Sequence, residues 1–282
     1  MNPSSRPFPT WQVDPDIRRA RTPPPELYTS AAVFDRVVDR VFRSAWLMTP
    51  SLRGAEVGEA VPFEVLPGVL RAPLALVRGN DGVVRCLSNV CTHRANLVVD
   101  APGCLRALRC RYHGRRFSLD GRFVSMPEFE GAEDFPSASD DLPVVPFEQL
   151  GPIPFASLAP KTPFLEAFAP IRERLGFLPW SALRLDAERT YEVAANWALY
   201  VENYLEGFHV PFVHPGLAQE LDYASYRTEL FDHLSLQIGM AKRGDAAFVL
   251  PADHPDAGAN VAAYYFCVLP TTMVNVYPWG VS

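Results

Sequence analysis

The first half of the chain shows two kinds of hydrophobic pattern, one after the other. From about residue 30 a set of apolar residues recurs near a period of 3.6 and predicts an amphipathic helix that begins at Thr29 or Ser30. Its members are Phe34, Val37, Val38, Val41, Phe42 and Trp46. From about residue 51 the chain changes to short apolar runs bounded by Gly, Asn and Asp, which are typical of β-hairpins.

The short apolar runs predict a small antiparallel β domain over residues 47–155. The predicted strands lie at 61–65, 74–78, 83–87, 117–119 and 122–124. Asp120-Gly121 separates the last two and predicts a two-residue hairpin turn.

After Pro160 the pattern becomes mixed. Residues 164–175 predict a helix, and residues 183–194 alternate as a strand does. Two late runs, 263–269 and 273–277, predict strands whose aromatic side chains belong to the core or line a pocket. Periodicity alone therefore predicts a mixed α and β chain with a β insert.

Composition and charge narrow the classes of function. The 282 residues are 48% hydrophobic, enough for a sizeable core in one or two domains, and a formal charge of −6 argues against general nucleic-acid binding. Residues 1–11 lack the apolar core of a signal peptide, and no run of eighteen apolar residues exists. We therefore expect neither secretion nor a membrane span.

One stretch carries four side chains at metal-ligand spacing. It reads C-T-H from Cys91 to His93 and, sixteen residues later, C-R-Y-H from Cys110 to His113. Two such pairs fit a Rieske [2Fe–2S] cluster, in which two thiolates hold one iron and two imidazoles hold the other. Both pairs lie on loops between predicted strands, where a rigid scaffold can present ligands.

Other interpretations of these four residues stay open. A structural zinc ion also accepts two Cys and two His, although zinc modules usually pair Cys with Cys and His with His along the chain. The four residues could also be unrelated. Three further cysteines, Cys86, Cys104 and Cys267, are an odd number, which favours a reduced cytoplasmic protein over a disulfide framework.

A second stretch, residues 196–214, carries carboxylates and imidazoles together. Glu202, Glu206 and His209 are spaced i, i+4, i+7, which predicts that they share one helix face. His214 follows five residues after His209, and the Gly and Pro around them predict a broken helix that turns both imidazoles toward one ion. Two His with one carboxylate is the triad of non-haem Fe(II) sites; structural histidines are the alternative.

Together these motifs resemble one known family. CTHR at 91–94, CRYHG at 110–114 and NWALYVENYLEGFHVPFVH at 196–214 are similar, in this order, to the catalytic α subunit of Rieske-type non-haem iron oxygenases. The family includes aromatic-ring-hydroxylating and quaternary-amine oxygenases. The resemblance implies an α+β fold, a Rieske all-β domain inserted in a helix-grip (SRPBCC-like) catalytic domain. The implied parts are an N-terminal segment and helix packing with the catalytic domain (1–46), the Rieske domain (47–155) and the catalytic domain (156–282).

The resemblance also implies an activity. A Rieske cluster and mononuclear Fe(II) would use O₂, with electrons from an NAD(P)H-dependent reductase or ferredoxin, to hydroxylate or N-demethylate a small aromatic or quaternary ammonium substrate. The family assembles head to tail, usually as a homotrimer, so that the cluster of one subunit meets the iron of its neighbour. We expect a cytoplasmic enzyme with no nucleic-acid or membrane partner.

Site residues follow from the resemblance position by position. Cys91, His93, Cys110 and His113 are the implied cluster ligands, and His209 and His214 are two implied iron ligands. Glu206 is similar to the acidic residue that bridges the two metal centres, and glutamate there looks more like the branch that acts on quaternary amines. Arg111 and Arg115 stand where the family often has Pro and Trp.

The third iron ligand of the family is an Asp or Glu on a late helix. After Asp256 this chain has no acidic residue, and Asp253 is the next nearest. We therefore expect either a lost carboxylate or a C-terminally truncated form that continues past Ser282 in its parent protein. A Rieske electron-transfer or binding protein without a complete catalytic iron site is the alternative function, and a zinc-stabilised module is a third.

Charge is unevenly distributed around the second cluster motif. Six arginines, then six acids, follow one another: Arg106, Arg109, Arg111, Arg115, Arg116, Arg122, Glu128, Glu130, Glu133, Asp134, Asp140 and Asp141. Two solvated faces explain this pattern. A basic collar that docks an acidic electron donor or a neighbouring subunit explains it equally well.

Overall fold

The structure is a computed structural model that describes residues 11–242 and 247–282. The first ten residues of the predicted N-terminal segment lie outside the described residues. Within the described ranges the helices are α1 (Glu26–Thr29), α2 (Ala31–Arg40), α3 (Phe164–Ala167), α4 (Ala169–Arg174), α5 (Trp197–Tyr204), α6 (Val210–Val213) and α7 (Pro215–Glu220). None of these helices is long and apolar enough to cross a bilayer.

The strands pair in an antiparallel manner throughout the described residues. They are β1 (Leu47–Met48), β2 (Glu59–Glu64), β3 (Pro73–Arg78), β4 (Val84–Ser88), β5 (Gly103–Cys104), β6 (Leu108–Arg109), β7 (Arg116–Phe117), β8 (Phe123–Ser125), β9 (Val144–Val145), β10 (Phe147–Leu150), β11 (Ile153–Ala156), β12 (Arg227–Leu230), β13 (Leu234–Met240), β14 (Val261–Val268), β15 (Thr272–Tyr277) and β16 (Gly280–Val281). Their orders within the sheets are β5-β2-β3-β4-β9, β6-β7-β8, β1-β11-β10 and β12-β13-β14-β15-β16.

The helix predicted from Thr29 or Ser30 corresponds to α2, which has Ser30 as its N-cap and ends earlier than predicted. The Ser30 side chain caps α2 by accepting a hydrogen bond from the Val33 amide at 3.4 Å. The predicted helix as far as Trp46 is wrong: after Arg40 the chain forms a 3₁₀ turn at Phe42–Ser44 and enters β1. The apolar period continues past the helix end because the 3₁₀ turn still directs apolar side chains into the same core.

The β insert has the predicted strands with one correction in its last hairpin. β2, β3 and β4 confirm the first three predicted runs, and β7 and β8 confirm the last two with slightly shifted bounds. The predicted two-residue turn is instead a three-residue turn, because the Ser118 amide pairs with the Arg122 carbonyl at 2.8 Å. Gly121 lies in this turn at φ +90°, a left-handed conformation that favours glycine.

The N-terminal helix packs between the two larger parts of the molecule. Phe34, Val37 and Val38 of α2 lie against a core that contains Leu74 and Leu76 of β3. The ring of Phe42 also meets the ring of Trp197 in α5, edge to face, with centroids 5.0 Å apart. The N-terminal segment therefore contacts the β insert as well as the C-terminal part.

The C-terminal part is a five-stranded sheet with α3 and α4 on one face. Phe168, Ile171 and Leu175 pack with Tyr264 and Val276 in one core that covers this face. The predicted helix at 164–175 is divided into α3 and α4, which share Phe168 as C-cap and N-cap. This helix-on-sheet packing agrees with the expected α+β architecture.

The predicted strand at 183–194 is wrong. This segment forms no strand, and the side chains that produced its alternation are exposed: Leu185 by 74%, Tyr191 by 74% and Val193 by 60%. Alternation of apolar and polar residues gives a strand only where the segment can pair with the edge of a sheet. This segment pairs with no sheet edge among the described residues.

A buried ion-pair cluster joins α4 and the 251–258 loop to the sheet. Asp256 has a fully buried side chain and contacts the guanidinium groups of Arg174 (2.6 Å) and Arg227, and it accepts a hydrogen bond from the Tyr264 hydroxyl at 2.9 Å. Arg174 also pairs with Glu229 of β12. Both Asp256 oxygens are therefore occupied by protein cations and a hydroxyl.

We predict that Asp256→Ala destabilises the fold strongly. Removing one partner of a buried ion pair leaves the other charges uncompensated, which costs about 3–5 kcal/mol of unfolding free energy. Urea denaturation should show this loss, whereas Asp253→Ala, an exposed acid in the same loop, should stay within about 0.5 kcal/mol of the parent. Equal stability of the two variants would contradict the structural role of Asp256.

Candidate metal centres

The two short loops that carry the Cys–His pairs share one backbone pattern. In the first, the Cys91 amide donates to the carbonyl five residues later at 2.8 Å, and the amide four residues later donates back to Cys91 at 3.0 Å. In the second, the Cys110 amide and carbonyl make the same two bonds at 2.9 and 3.1 Å. Each cysteine therefore begins a tight turn that is closed by its own peptide groups.

Both turns need a left-handed residue at the same position. Ala95 has φ +55° and Gly114 has φ +74°, each four residues after its cysteine. The histidines differ by one place, since His93 is the second residue after its cysteine and His113 the third. The two turns are therefore equivalent at their cysteines and differ by one position at their histidines.

The four side chains come together at the tips of these loops. Cys91 and Cys110 are 3% and 2% exposed, and the rings of His93 and His113 lie 4.7 Å apart between centroids at 66°. The Nδ1 atom of His93 is buried and has no hydrogen-bond partner among the described residues. The Asn96 amide nitrogen lies 3.8 Å from the Cys110 sulfur and donates toward it.

The pKa shifts at this site suit side chains that bind a positively charged group. Burial raises the pKa of the Cys91 thiol, and the Cys110 thiol raises it further against the lowering effect of the His93 amide. Metal binding requires the thiolate, so the positive iron atoms of a cluster would provide the compensation that the protein lacks. Burial also lowers the pKa of His93, which keeps the imidazole in its neutral, ligating form.

The arrangement fits a cluster and does not fit a single ion. A tetrahedral zinc site needs four ligands around one centre. Nowhere in residues 11–242 and 247–282 do three or more His, Cys, Asp or Glu side chains converge in that manner. A [2Fe–2S] cluster needs only a thiolate pair and an imidazole pair, each on its own iron.

Two aromatic side chains that sequence reasoning missed flank the imidazoles. Tyr112 lies 3.9 Å from the His113 ring between centroids, and Phe129 lies 5.8 Å from the His93 ring at 80°. The place of Tyr112 inside the motif is a signal that could have identified it. Phe129 is sixteen residues beyond His113, and no local sequence pattern indicates its role.

The second candidate centre lies just beyond the end of a helix. Asn196 caps α5 by accepting a hydrogen bond from the Ala198 amide at 2.9 Å. The helix ends at Tyr204, so the predicted single helix face for Glu202, Glu206 and His209 is wrong. Glu202 instead accepts a 2.6 Å hydrogen bond from the Tyr28 hydroxyl of the N-terminal segment.

Glu206 and His209 are in direct contact outside the helix. The Nδ1 atom of His209 lies 2.6 Å from Glu206 Oε1, while the amides of Phe208 and His209 donate to Oε2. Burial alone would raise the pKa of Glu206, but these hydrogen bonds outweigh it and hold the pKa below its usual range. The carboxylate therefore fixes the ring of His209 and leaves its Nε2 as the available ligand atom.

The predicted break in the helix is confirmed. The four-residue helix α6 separates His209 from His214, and their rings lie 5.1 Å apart between centroids at 74°. The two imidazoles are thus neighbours. No third metal-ligating group joins them among the described residues.

Neither late acid offers a third ligand in this structure. Asp256 is bound by Arg174 and Arg227 in the buried ion-pair cluster, and Asp253 is an exposed loop residue. His209 and His214, two of the three side chains expected for an iron triad, are neighbours here, and neither late acid joins them.

A polar row on the sheet supports α5, and sequence reasoning missed it. Gln237, Tyr265 and Asn275 are in register across β13, β14 and β15. The Tyr204 hydroxyl donates to Asn275 at 2.6 Å, and the Gln237 side chain donates to the Tyr204 carbonyl at 2.6 Å. Gln237 and Asn275 lie 33 and 71 positions from Tyr204 in the chain, so no local pattern indicates these contacts.

The segment that carries Glu206 also touches this sheet face. A Cβ on Gly207 would lie 3.3 Å from the Tyr226 ring, and the Tyr226 hydroxyl donates to Gln237 at 3.0 Å. Glycine therefore permits the close approach of the loop.

Three aromatic rings continue from this polar row. Tyr265 and Tyr277 meet edge to face with centroids 5.9 Å apart, and Trp279 stacks on Tyr277 at 4.7 Å and 4°. The Tyr265 hydroxyl is buried without a hydrogen-bond partner among the described residues. The predicted strand aromatics thus divide between the core, as for Tyr264, and this opposite face.

The arginines near the second cluster loop do not form one surface. Arg115 is 3% exposed and pairs with Asp140 at 2.5 Å, so its assignment to an exposed collar is wrong. Three others, Arg106, Arg109 and Arg116, line an open surface groove of about 560 Å³ beside Gly114.

Both halves of the chain match known families. Residues 54–136 match the Rieske [2Fe–2S] domain, and residues 181–281 match the ring hydroxylating alpha subunit (catalytic domain). Together the two regions cover more than half of the chain. The cysteine and histidine pairs lie in the first region, and Glu206, His209 and His214 lie in the second.

Curated relatives align along nearly all of this chain. The carnitine monooxygenase oxygenase subunit of Escherichia coli (strain K12) is 29% identical over 268 residues, which cover 93% of this chain and 69% of that protein. The chloroplastic choline monooxygenase of Arabidopsis thaliana is 29% identical over 287 residues, covering 95% of this chain and 65% of that protein.

Solved structures share the fold. A quaternary ammonium Rieske monooxygenase, described for carnitine oxidation by gut microbiota and inter-subunit electron transfer, superposes with a TM-score of 0.71 at 25% identity, covering 90% of this chain and 68% of that one. Naphthalene 1,2-dioxygenase from Rhodococcus sp. superposes with a TM-score of 0.72 at 19% identity, covering 90% and 64%.

Proposed function

Because this chain joins a Rieske domain to a ring-hydroxylating α-subunit catalytic domain and so belongs to the Rieske non-haem iron oxygenases, we propose that it oxidises a quaternary ammonium compound. The family uses O₂ and electrons from a reductase partner. The match of residues 181–281 to the catalytic domain favours an oxygenase over an electron-transfer protein, and the Rieske match favours a cluster over zinc.

We assign the Rieske cluster to Cys91, His93, Cys110 and His113. The observation that supports this assignment is the pair of equivalent turns, which bring two buried sulfurs and two imidazoles to one place. The domain boundaries 1–46, 47–155 and 156–282 belong to the same proposal, since the matched regions fall inside the last two. We also propose a cytoplasmic location, supported by five cysteines that are all free.

We assign His209 and His214 as two ligands of the mononuclear iron, with Glu206 as the residue that holds His209. Supporting this are the 2.6 Å Glu206–His209 contact and the 5.1 Å separation of the two rings. When bound, the cluster would supply single electrons and the iron would activate O₂. The protein's part is to fix one imidazole through a carboxylate.

We also propose a homotrimer in which the cluster site of one subunit contacts the mononuclear iron site of its neighbour. The Glu206 side chain is 35% exposed, and Phe208 and Phe212 beside it are 77% and 88% exposed. Exposed aromatic residues around a partly open carboxylate suit burial by another copy of the chain.

The substrate proposal rests on the aromatic face next to the second centre. Tyr265, Tyr277 and Trp279 offer ring faces and edges above a polar row, and an aromatic face attracts a quaternary ammonium group by cation–π interaction. The similarity to carnitine and choline monooxygenases supports the same substrate class.

We predict that the protein binds choline or carnitine more tightly than a neutral isostere. Calorimetry should show that Tyr277→Leu weakens choline binding by roughly 2- to 30-fold, the range expected for one cation–π contact. Binding of the neutral tert-butyl analogue of choline should change little, and Tyr191→Leu, an exposed tyrosine of the 183–194 segment, should change neither. Preference for the neutral analogue or for naphthalene would refute the proposed substrate class.

We predict that Glu206→Gln leaves both metals bound and slows their communication. Glutamine has the size of glutamate and keeps an oxygen that accepts hydrogen bonds from the backbone amides. It lacks the negative charge that holds the His209 ring. Stopped-flow reoxidation of the prereduced cluster with substrate and O₂ should slow roughly 10- to 100-fold at unchanged iron content. Glu202→Gln, one helical turn earlier and bonded to Tyr28, is the matched control and should react at the parental rate.

We predict that the groove lined by Arg106, Arg109 and Arg116 receives an acidic electron donor. Reversing all three to Glu should slow reduction of the cluster by an acidic plant-type ferredoxin about tenfold or more at low salt. Raised salt should slow the parent and leave the variant nearly unaffected. Arg122→Glu, an exposed arginine paired with Asp120, is the control; if it has the same effect, the groove has no special role.

A further inference from the structure

Arg115 is a buried cation in a place where the family often has Trp. Its guanidinium lies among three phenyl rings, with its carbon 4.9 Å from the Phe123 centroid, 5.6 Å from that of Phe135 and 5.8 Å from that of Phe117. Only 3% of the residue is exposed. A guanidinium taken out of water requires compensation, so this arrangement calls for a specific explanation.

Its contacts join the two cluster loops. The backbone carbonyl of Arg115 accepts the Cys110 amide at 2.9 Å and so closes the second loop. Its side chain reaches the Asp140 carboxylate at 2.5 Å and the Asp140 carbonyl at 3.3 Å. The same carbonyl accepts the Thr92 hydroxyl of the first loop at 2.7 Å. One arginine thus links Cys110 to the residue next to Cys91.

Asp140 is itself held in place. Its second carboxylate oxygen accepts hydrogen bonds from the amide and hydroxyl of Ser137, at 2.7 and 3.0 Å, at the start of the 3₁₀ turn Ala138–Asp140. Asp140 is therefore anchored by Ser137 while it also contacts Arg115 and Thr92.

The ion pair is unevenly compensated. The Asp140 side chain is 18% exposed and that of Arg115 only 3%, so solvent screens the anion more than the cation. The Nε atom of Arg115 is also buried without a hydrogen-bond partner among the described residues. The charge of Arg115, which lies at the end of the second cluster loop, is therefore less screened than the charge of Asp140.

We infer that Arg115 is a positioning residue for the Rieske cluster, which ties the two ligand loops together and sets a buried positive charge beside them. A fixed cation stabilises the reduced, more negative cluster and raises its reduction potential. Asp140 moderates the effect. The inference rests on the proposed assignment of the cluster to Cys91, His93, Cys110 and His113.

Removing either charge of the pair tests this inference, because the two changes should act with opposite sign. Redox titration followed by EPR should show a lower midpoint potential in Arg115→Met and a higher one in Asp140→Asn. Each change should be at least tenfold in the equilibrium constant for reduction, which is about 59 mV for one electron. Arg115→Lys keeps the charge and should stay close to the parent.

A matched surface variant and a loop variant complete the test. Arg111→Met removes an exposed cation of the same loop, paired with Asp100, and should leave the potential unchanged. Thr92→Val breaks the link at the first loop. In the parent background it should speed the loss of the cluster to a chelator. In the Arg115→Met background it should leave that rate unchanged.

The outcomes separate the inference from the function on which it rests. Parental potentials in both Arg115→Met and Asp140→Asn, or shifts of the same sign, would overturn the role of Arg115. If Arg115→Met does not fold, Asp140→Asn still decides: a higher midpoint potential supports the inference, and a parental or lower one overturns it. A parent protein without iron and sulfide would instead refute the cluster assignment itself.

Discussion

Two buried cysteine sulfurs that must face one another are the constraint on which the β insert depends. Thiolates are costly to bury without a positive partner. The chain holds Cys91 and Cys110 in place through hydrogen bonds of their own peptide groups, and their side chains pack in the core of the β insert. That requirement explains the left-handed residues Ala95 and Gly114, which close two equivalent turns. Strands β2–β4 and β6–β8 then serve as supports that keep the turns at a fixed separation.

The second centre depends on a different constraint, the docking of α5 onto the polar row of the sheet. Tyr204 is the last residue of the helix, and its hydroxyl and carbonyl both bond to residues of that row. Ending the helix there frees Glu206 and His209 to meet outside helical geometry. At the other end of α5, the Asn196 side chain donates to the Tyr28 carbonyl and Trp197 meets Phe42, so the N-terminal segment orients the centre indirectly.

Local spacing predicted the chemistry better than it predicted the geometry. Both Cys–His pairs and the broken helix between His209 and His214 follow from short-range signals, because each depends on residues within a few positions. The prediction that Glu206 lies on a shared helix face was wrong, because the contact of Tyr204 with Asn275, seventy-one residues later, decides where α5 ends. The burial of Arg115 was missed for the same reason. An arginine is expected at the surface, and some of the contacts that accompany its burial, with Phe135 and Asp140, come from residues twenty or more positions later.

The two centres also meet opposite physical requirements. An electron relay works best when little reorganises between oxidation states, and this suits buried ligands on short, hydrogen-bonded turns. A centre that admits O₂ and an organic molecule needs open positions, and this suits imidazoles at the ends of a four-residue helix, with His209 21% exposed. Rigidity at one centre and access at the other explain why the chain builds the first on a β scaffold and the second at interrupted helices. A fixed cation such as Arg115 belongs with the rigid centre, because only an immobile charge acts equally on every transfer.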